Sequence, residues 1–356
     1  MRPRSLLLPA DYSRAGSKLQ PIRGPLTTPT LTTPMRRPTP RDIFLLALAG
    51  LWLLALGALV LRPPAPARIP HPTPLPATPP ATPGPQIAPL PRGYGVAAAL
   101  DKGTRADLDL LGPVWYYDYH ADGADWGSHP RMLMVRPSDK LSDAELRHLV
   151  ATHPGHWWML GNEPNDPAQD TQEPAVYARF YAHTAAVIRA ADPTAGIMPG
   201  GIANADTQWA GAFRMQYARL TGSPPQVDAW NIHNYLLDTA DPYDMAEFQR
   251  RIGNFRAWMA AVGDGDRPLV LSEFGLRYGA GCCNRPLDVL GDGLVFMRRA
   301  ITWLEESGQV DSWAWFTLDS GDLNYDGNLL RPAVPGTLSP YGRLYSDHAR
   351  MFAVTR

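Results

Sequence analysis

Cysteine is nearly absent: the 356 residues contain only Cys282 and Cys283, adjacent in the chain. Neighbouring thiols cannot cross-link distant elements, so the fold is no disulfide scaffold, and outside a cell they can only pair as a strained vicinal disulfide or stay free. No Cys/His spacing of a zinc site occurs, and neither metal nor cofactor is expected. A glycine-rich phosphate loop is missing after the first apolar strand, which argues against a dinucleotide-binding open sheet. No repeat at a period of about 20–50 residues stands out, so a solenoid or propeller is not indicated. Net charge is also slight, at −1, which excludes a strongly basic nucleic-acid binder.

That average conceals two regions. Residues 1–42 carry Arg2, Arg4, Arg14, Lys18, Arg23, Arg36, Arg37 and Arg41 against Asp11 and Asp42, a net +6. Residues 43–92 add +3, leaving −10 for 93–356. Proline divides the chain at the same place, with 21 of 38 in residues 1–92. Each proline removes a backbone donor and fixes φ, so that quarter does not pack into a domain. One stretch is an exception. Ile43–Leu61 runs 19 residues with no charge or strong hydrogen-bonding side chain. As a helix rising about 1.5 Å per residue it spans roughly 28 Å, close to a hydrocarbon core of about 30 Å. The apolar core of a signal peptide is usually shorter, about 7–15 residues, and no clean small-residue cleavage site follows Leu61. The segment therefore predicts a retained membrane anchor. Arg36, Arg37 and Arg41, with Lys18 and Arg23, outweigh Arg62 and Arg68, which puts the tail in the cytoplasm and the rest outside. Residues 63–92 hold 13 prolines, as in TPLPATPPATPGP. In polyproline II, at about 3.1 Å per residue, they reach roughly 90 Å, either as a spacer or as a linker of no selected length. The expected organisation is a basic tail 1–42, an anchor 43–61, a linker 62–92 and a globular domain 93–356.

From Gly93 onward, short apolar runs alternate with helical patterns. Strands are predicted at Tyr94–Ala99, Pro113–Tyr119, Arg131–Val135, His156–Gly161, Gly196–Gly200, Val227–His233, Leu269–Phe274 and Asp311–Thr317. Helices are predicted at Ser142–Thr152, Pro174–Ala191, Trp209–Thr221, Met245–Val262, Leu287–Ser307 and Tyr341–Phe352. Ser142 followed by Glu145 forms a capping-box pattern, and Asp192-Pro193 closes the helix before it. Strands recurring with helical crossovers imply a parallel sheet. Eight such units in the 264 residues of 93–356 fit an α/β fold of the (β/α)8 TIM-barrel type, typically about 250 residues, with a doubly wound open sheet as the alternative.

Barrel enzymes place their chemistry at the C-terminal ends of strands. The fourth strand ends in Gly161-Asn162-Glu163-Pro164-Asn165 and the seventh in Ser272-Glu273-Phe274-Gly275. A carboxylate directly after an apolar strand is poorly explained as a solvated surface charge. Two of them across one sugar suffice for glycoside hydrolysis: one protonates the departing oxygen and the other attacks or activates water. Either glutamate alone could instead be a buried partner of an arginine or lysine.

These segments are familiar. Asn-Glu-Pro after strand four and Ser-Glu-Phe-Gly after strand seven resemble the signatures of the clan A retaining glycoside hydrolases. GNEPN, Trp230-Asn231-Ile232-His233-Asn234-Tyr235 and Trp313-Ala314-Trp315-Phe316 most resemble the Asl1-like glycosyl hydrolases. Trp115-Tyr116-Tyr117-Asp118-Tyr119 resembles their WYYNW segment, with Asp118 where asparagine is usual. The resemblance implies Glu163 as acid/base, Glu273 as nucleophile and double displacement through a covalent glycosyl-enzyme. It implies that Asn162 donates to the sugar 2-hydroxyl. His233 and Tyr235, two apart on one strand face, are expected to hold Glu273 ionised by hydrogen bonds. Among the aromatic residues, Trp315 is expected to floor the cleaved subsite and Trp115 a neighbouring one. Trp157, Trp158, Trp303 and Trp313 read as core.

The acidic domain favours a neutral polysaccharide, a glucan, xylan or mannan, over anionic polymers. Asp322-Leu323-Asn324-Tyr325-Asp326-Gly327 begins like a calcium loop, but position twelve is Ala333 and Pro332 intrudes, so a turn is expected. Asp166, Asp170 and Glu173 read as a solvated loop and helix start. The expectation is a membrane-anchored, extracytoplasmic retaining β-glycoside hydrolase, with β-glucan as the first substrate to consider. A non-catalytic polysaccharide-binding protein and a transglycosylase using the same residues stand beside it.

Overall fold

The apolar runs become strands because each is buried on both faces, as parallel strands under helices are. They are β1 (Gly93–Ala97), β2 (Trp115–Tyr117), β3 (Met132–Val135), β4 (Trp157–Asn162), β5 (Gly196–Gly201), β6 (Trp230–His233), β7 (Leu269–Gly275) and β8 (Ser312–Phe316). The computed structural model describes residues 86–98, 103–170, 172–236, 239, 241–276, 290–321, 327–331, 334 and 336–355. The expected tail 1–42, the anchor 43–61, the linker through 85, the Cys282-Cys283 pair and the turn at 322–326 lie outside the described residues. Among the described residues, no helix is long and apolar enough to cross a membrane.

The eight strands pair in parallel. One sheet runs β2-β1-β8-β7-β6 and another β3-β4-β5. Isolated parallel bridges, Tyr116 to Arg131 and Ile202 to Ile232, join the two sheets at both seams. The strands thus follow one another in sequence order around a closed ring, the connectivity of a (β/α)8 barrel. Among the described residues seven α-helices accompany them: α1 (Arg105–Leu111), α2 (Asp143–Thr152), α3 (Pro174–Ala191), α4 (Thr207–Thr221), α5 (Met245–Ala261), α6 (Leu290–Ser307) and α7 (Pro340–Thr355). The predicted capping box starts α2: Ser142 Oγ accepts from the Glu145 amide and Glu145 reaches back to the Ser142 amide at 2.8 Å. Helix α1 has the same device in Thr104 and Asp107, a signal passed over in the sequence.

Alternation along the strands sorts side chains into two cores. Trp115, Tyr117, Met132, Met134, Met159, Met198, Val270 and Ala314 fill the ring interior. Tyr94, Trp158, Trp230, Trp313 and Trp315 face outward among the helices. Each fully buried large side chain contributes about 1.5–3 kcal/mol, so these two layers carry the fold.

Two places depart from expectation. Residues 86–92, counted with the linker, close the base of the barrel. Ile87 and Leu90 pack on the interior cluster, and the Trp157 indole donates to the Ala88 carbonyl at 3.0 Å. Ser312 Oγ donates to the Pro91 carbonyl at 2.7 Å. Second, an irregular segment rather than a helix joins β2 to β3. Arg131 takes the place of its packing. Its guanidinium lies 3.0 Å from Asp118 and donates to the Asp122 and Gly123 carbonyls at 2.7 and 3.1 Å. Both charged side chains are fully buried, which is tolerable only because each neutralises the other. Asp118, the departure from the familiar motif, is thus a structural ion pair.

Candidate active site

Glu163 stands just past β4, in the left-handed region at φ 44. An L-residue there costs roughly 1–3 kcal/mol, so its surroundings must hold it. They do so from several sides. Its amide donates to the Gly201 carbonyl at 3.0 Å. Asn165 clasps the next loop, exchanging hydrogen bonds with the Ala203 carbonyl at 3.0 Å and amide at 2.8 Å.

Glu273 reaches the same mouth from β7 by way of an irregularity in strand register between Leu271 and Phe274. A bulge lets two consecutive residues address one face. Ser272 and Glu273 accordingly both point toward His233. Glu273 is buried and accepts three phenolic hydrogen bonds: Oε1 from Tyr117 at 2.7 Å and Tyr119 at 2.9 Å, Oε2 from Tyr235 at 2.8 Å. Burial, then the Glu273 charge, pushes the Tyr117 and Tyr119 phenols well above their ordinary range, so both stay donors.

His233 connects the two carboxylates. Its Nδ1 lies 2.8 Å from Glu163 Oε1 and 3.6 Å from Glu273 Oε2, and its Nε2 lies 3.0 Å from Ser272 Oγ. The ring fits because Gly201 has no side chain; a Cβ there would collide with the imidazole. Burial opposes protonation of His233, but Glu273 and Glu163 outweigh it and raise its pKa. For Glu163 burial dominates and raises the carboxyl pKa, with Glu273 and Asp166 adding to it and His233 opposing. One oxygen of each glutamate and one His233 nitrogen lie within 4.8 Å of one another. Three such groups could offer ligands to a cation. Both Glu273 oxygens already accept phenols, however, and Nδ1 already faces Glu163.

The expected site residues divide. Glu163, Glu273, His233 and Tyr235 converge. Asn162 adjoins them, buried, its Nδ2 donating to Gln169 Oε1 at 3.3 Å and its Oδ1 making no hydrogen bond among the described residues. The two tryptophans do not join. Trp315 is 0% exposed and faces outward, between Phe274 and Tyr341, with its indole donating to the Gly327 carbonyl at 2.8 Å. Trp115 is 1% exposed and lies inside the ring at its base, its indole donating to the Gly93 carbonyl at 3.0 Å. Neither can meet a sugar at the mouth. The half-buried Phe316, one residue past Trp315 and so on the opposite face, stands there instead, edge-on to Tyr235 at 6.1 Å. Tyr117, Tyr119 and Asp170 are the residues that sequence reasoning missed. Asp170 is no solvated loop carboxylate, since its side chain is 2% exposed.

Comparison with known proteins gives a concordant picture. A family model described as the glycosyl hydrolase catalytic core matches residues 104–345. No curated protein sequence matches the chain. Among solved structures, a GH128 subgroup II endo-β-1,3-glucanase from Sorangium cellulosum is similar at 19% identity and TM-score 0.57, over 72% of this chain and 98% of its own. A GH128 subgroup I endo-β-1,3-glucanase from Amycolatopsis mediterranei, bound to laminaritriose, is similar at 22% identity and TM-score 0.54, over 72% and 98%. A GH128 subgroup III curdlan-specific exo-β-1,3-glucanase from Blastomyces gilchristii, bound to glucose, reaches 17% identity and TM-score 0.54, over 70% and 97%.

Proposed function

This chain belongs to the glycosyl hydrolase catalytic core family, and from that premise we propose that it is a retaining β-glucanase working by double displacement. Glu163 is the acid/base and Glu273 the nucleophile. The observation that carries this reading is the separation of the pair, one oxygen of each within 4.8 Å. Retaining enzymes hold their carboxyls about 5–5.5 Å apart, whereas inverting enzymes leave about 6.5–9.5 Å for a water. The environments divide the roles. Glu163, with its raised pKa, keeps the proton that the leaving oxygen needs. Glu273, held in place by three phenol donors, attacks the anomeric carbon. Glu163 then takes a proton from the water that releases the sugar. His233 lies between them as the group through which the two charges sense each other.

A β-1,3-glucan is the substrate proposed, because the three similar structures are described as β-1,3-glucanases and the net −10 of residues 93–356 favours a neutral polymer. The enzyme is proposed to be tethered through Ile43–Leu61 with its tail in the cytoplasm and its catalytic domain outside, the proline-rich segment holding it off the bilayer. The test is release of reducing ends by the full-length chain from β-1,3-, β-1,4- and β-1,6-glucans and xylan. Turnover of β-1,3-glucan with first-formed β-anomers supports the reading. Binding without turnover on every polymer would leave a carbohydrate-binding protein.

A further inference from the structure

Asp170 and Arg136 play no part in the chemistry described so far, yet they grip the backbone that carries the acid/base. The Asp170 carboxylate is buried and accepts the Asn162 amide through Oδ2 at 2.7 Å. Its Oδ1 receives Arg136 Nε at 2.8 Å and Nη2 at 2.7 Å. The Asp170 amide in turn donates to the Asn162 carbonyl at 3.4 Å. Asp170 thus holds both peptides of Asn162, the residue immediately before Glu163, one through its carboxylate and one through its amide, and ties them to an arginine just past the neighbouring strand β3. The backbone held in this way runs through two left-handed residues, Gly161 at φ 99 and Glu163 at φ 44. Gly161 also clears the approach, since a Cβ there would sit 3.3 Å from Asp170 Oδ2. Next to Asp170, Gln169 receives the Asn162 side chain at 3.3 Å.

We propose that Asp170, braced by Arg136, is a positioning residue for Glu163, fixing the left-handed turn from which the acid/base reaches the scissile oxygen. A charge-assisted hydrogen bond to a backbone amide is stronger and more directional than a neutral one. Asparagine at position 170 can still accept the Asn162 amide, but its NH2 then faces the guanidinium of Arg136. The turn loses its brace, and a displacement of about 1 Å at a catalytic group costs about 100-fold in rate.

The inference rests on Glu163 being the acid/base, and the test separates the two ideas. A 2,4-dinitrophenolate leaving group departs without protonation, and azide attacks the glycosyl-enzyme without a base. Together they bypass Glu163 and nothing else. In the full-length chain, Asp170→Asn and Arg136→Gln are expected to lower kcat on the glucan that wild type cleaves by about 100-fold, with KM within about threefold. On the 2,4-dinitrophenyl β-glycoside with azide, both variants return to within about threefold of wild type and form the β-glycosyl azide. Arg136→Lys, which keeps the charge, loses about tenfold or less. Glu163→Ala is the control. If it is rescued by azide while Asp170→Asn and Arg136→Gln lose equally on both substrates, the positioning role is overturned and the acid/base assignment stands. If Glu163→Ala itself is not rescued, the assignment falls and the inference with it. Should Asp170→Asn not fold, Arg136→Gln, altering a partly exposed side chain, decides the same question.

Discussion

The ends of β4 and β7 present the same side chain to the same cleft in opposite settings. At β4, Glu163 sits on a strained left-handed turn held by backbone hydrogen bonds, with His233 2.8 Å away and burial raising its pKa. At β7, Glu273 leaves a bulged strand and receives three phenols. The carboxyls do not differ chemically; their neighbours do. One environment raises the carboxyl pKa and the other surrounds the carboxyl with donors, the difference on which the proposed division of roles rests.

The comparison breaks most sharply when each carboxylate is removed in turn. Glu273→Ala is expected to lower kcat on glucan by roughly 10⁴-fold or more, because no covalent intermediate forms. Glu163→Ala is expected to lose about 10²–10⁴-fold, the range for a general acid/base. Azide chemistry then tells them apart: the Glu163 variant gives the β-glycosyl azide and the Glu273 variant the α-glycosyl azide, assigned by proton NMR.

A smaller effect comes from thinning the phenol set. Tyr235→Phe, Tyr117→Phe and Tyr119→Phe each remove one charge-assisted donor, about 1.5–3 kcal/mol, and should lower kcat by about 10- to 100-fold. Tyr119 should cost least, because it shares Oε1 with Tyr117 and makes the longer bond. Steady-state kinetics on one glucan ranks them.

The pH profile sharpens the contrast further. The general acid must be protonated, so kcat/KM falls as pH rises through the Glu163 pKa. Because burial and Glu273 raise that pKa, the alkaline limb should lie above the ordinary carboxylate range. Glu273→Gln removes the neighbouring negative charge, so the Glu163 pKa should drop, read by carbon-13 NMR titration of labelled glutamate. An unchanged value would mean that the two ends do not interact.

The smallest effect concerns the base of the barrel. A fragment starting at Gly93 lacks Ile87, Leu90 and the carbonyls that receive Trp157, and should melt roughly 5–10 °C below one starting at Pro83, measured by calorimetry.

Much of this was legible in the sequence for reasons that can be stated. Apolar runs bounded by turn residues gave the strands, and a carboxylate at the end of such a run can only sit at the mouth. Tyr235 reaches Glu273 as its spacing implies, but His233, expected to bond Glu273 as well, bonds Glu163 and Ser272 instead and stays 3.6 Å from Glu273. The tryptophans were misplaced by the same logic incompletely applied. Trp313 and Trp315 flank the small Ala314, so when Ala314 faces the interior both indoles face outward, and Phe316 turns inward. Trp115 does share a face with Tyr117, but two residues are about 6.6 Å along a strand. One lies at the floor and the other at the mouth. Tyr119 left only its place in the Trp115–Tyr119 segment and Asp170 no local signal, since each reaches its partner from an irregular segment, across 154 residues to Glu273 and 34 to Arg136.

The division of labour between the two ends can be tested in one step. A 2-deoxy-2-fluoro β-glucoside of the released oligosaccharide slows both displacements, and a dinitrophenyl leaving group restores only the first, so the glycosyl-enzyme accumulates. Peptide mass spectrometry of the inactivated full-length chain should find the sugar esterified to Glu273. A label on Glu163, or an unlabelled enzyme that releases α-anomers from its natural substrate, would contradict the account.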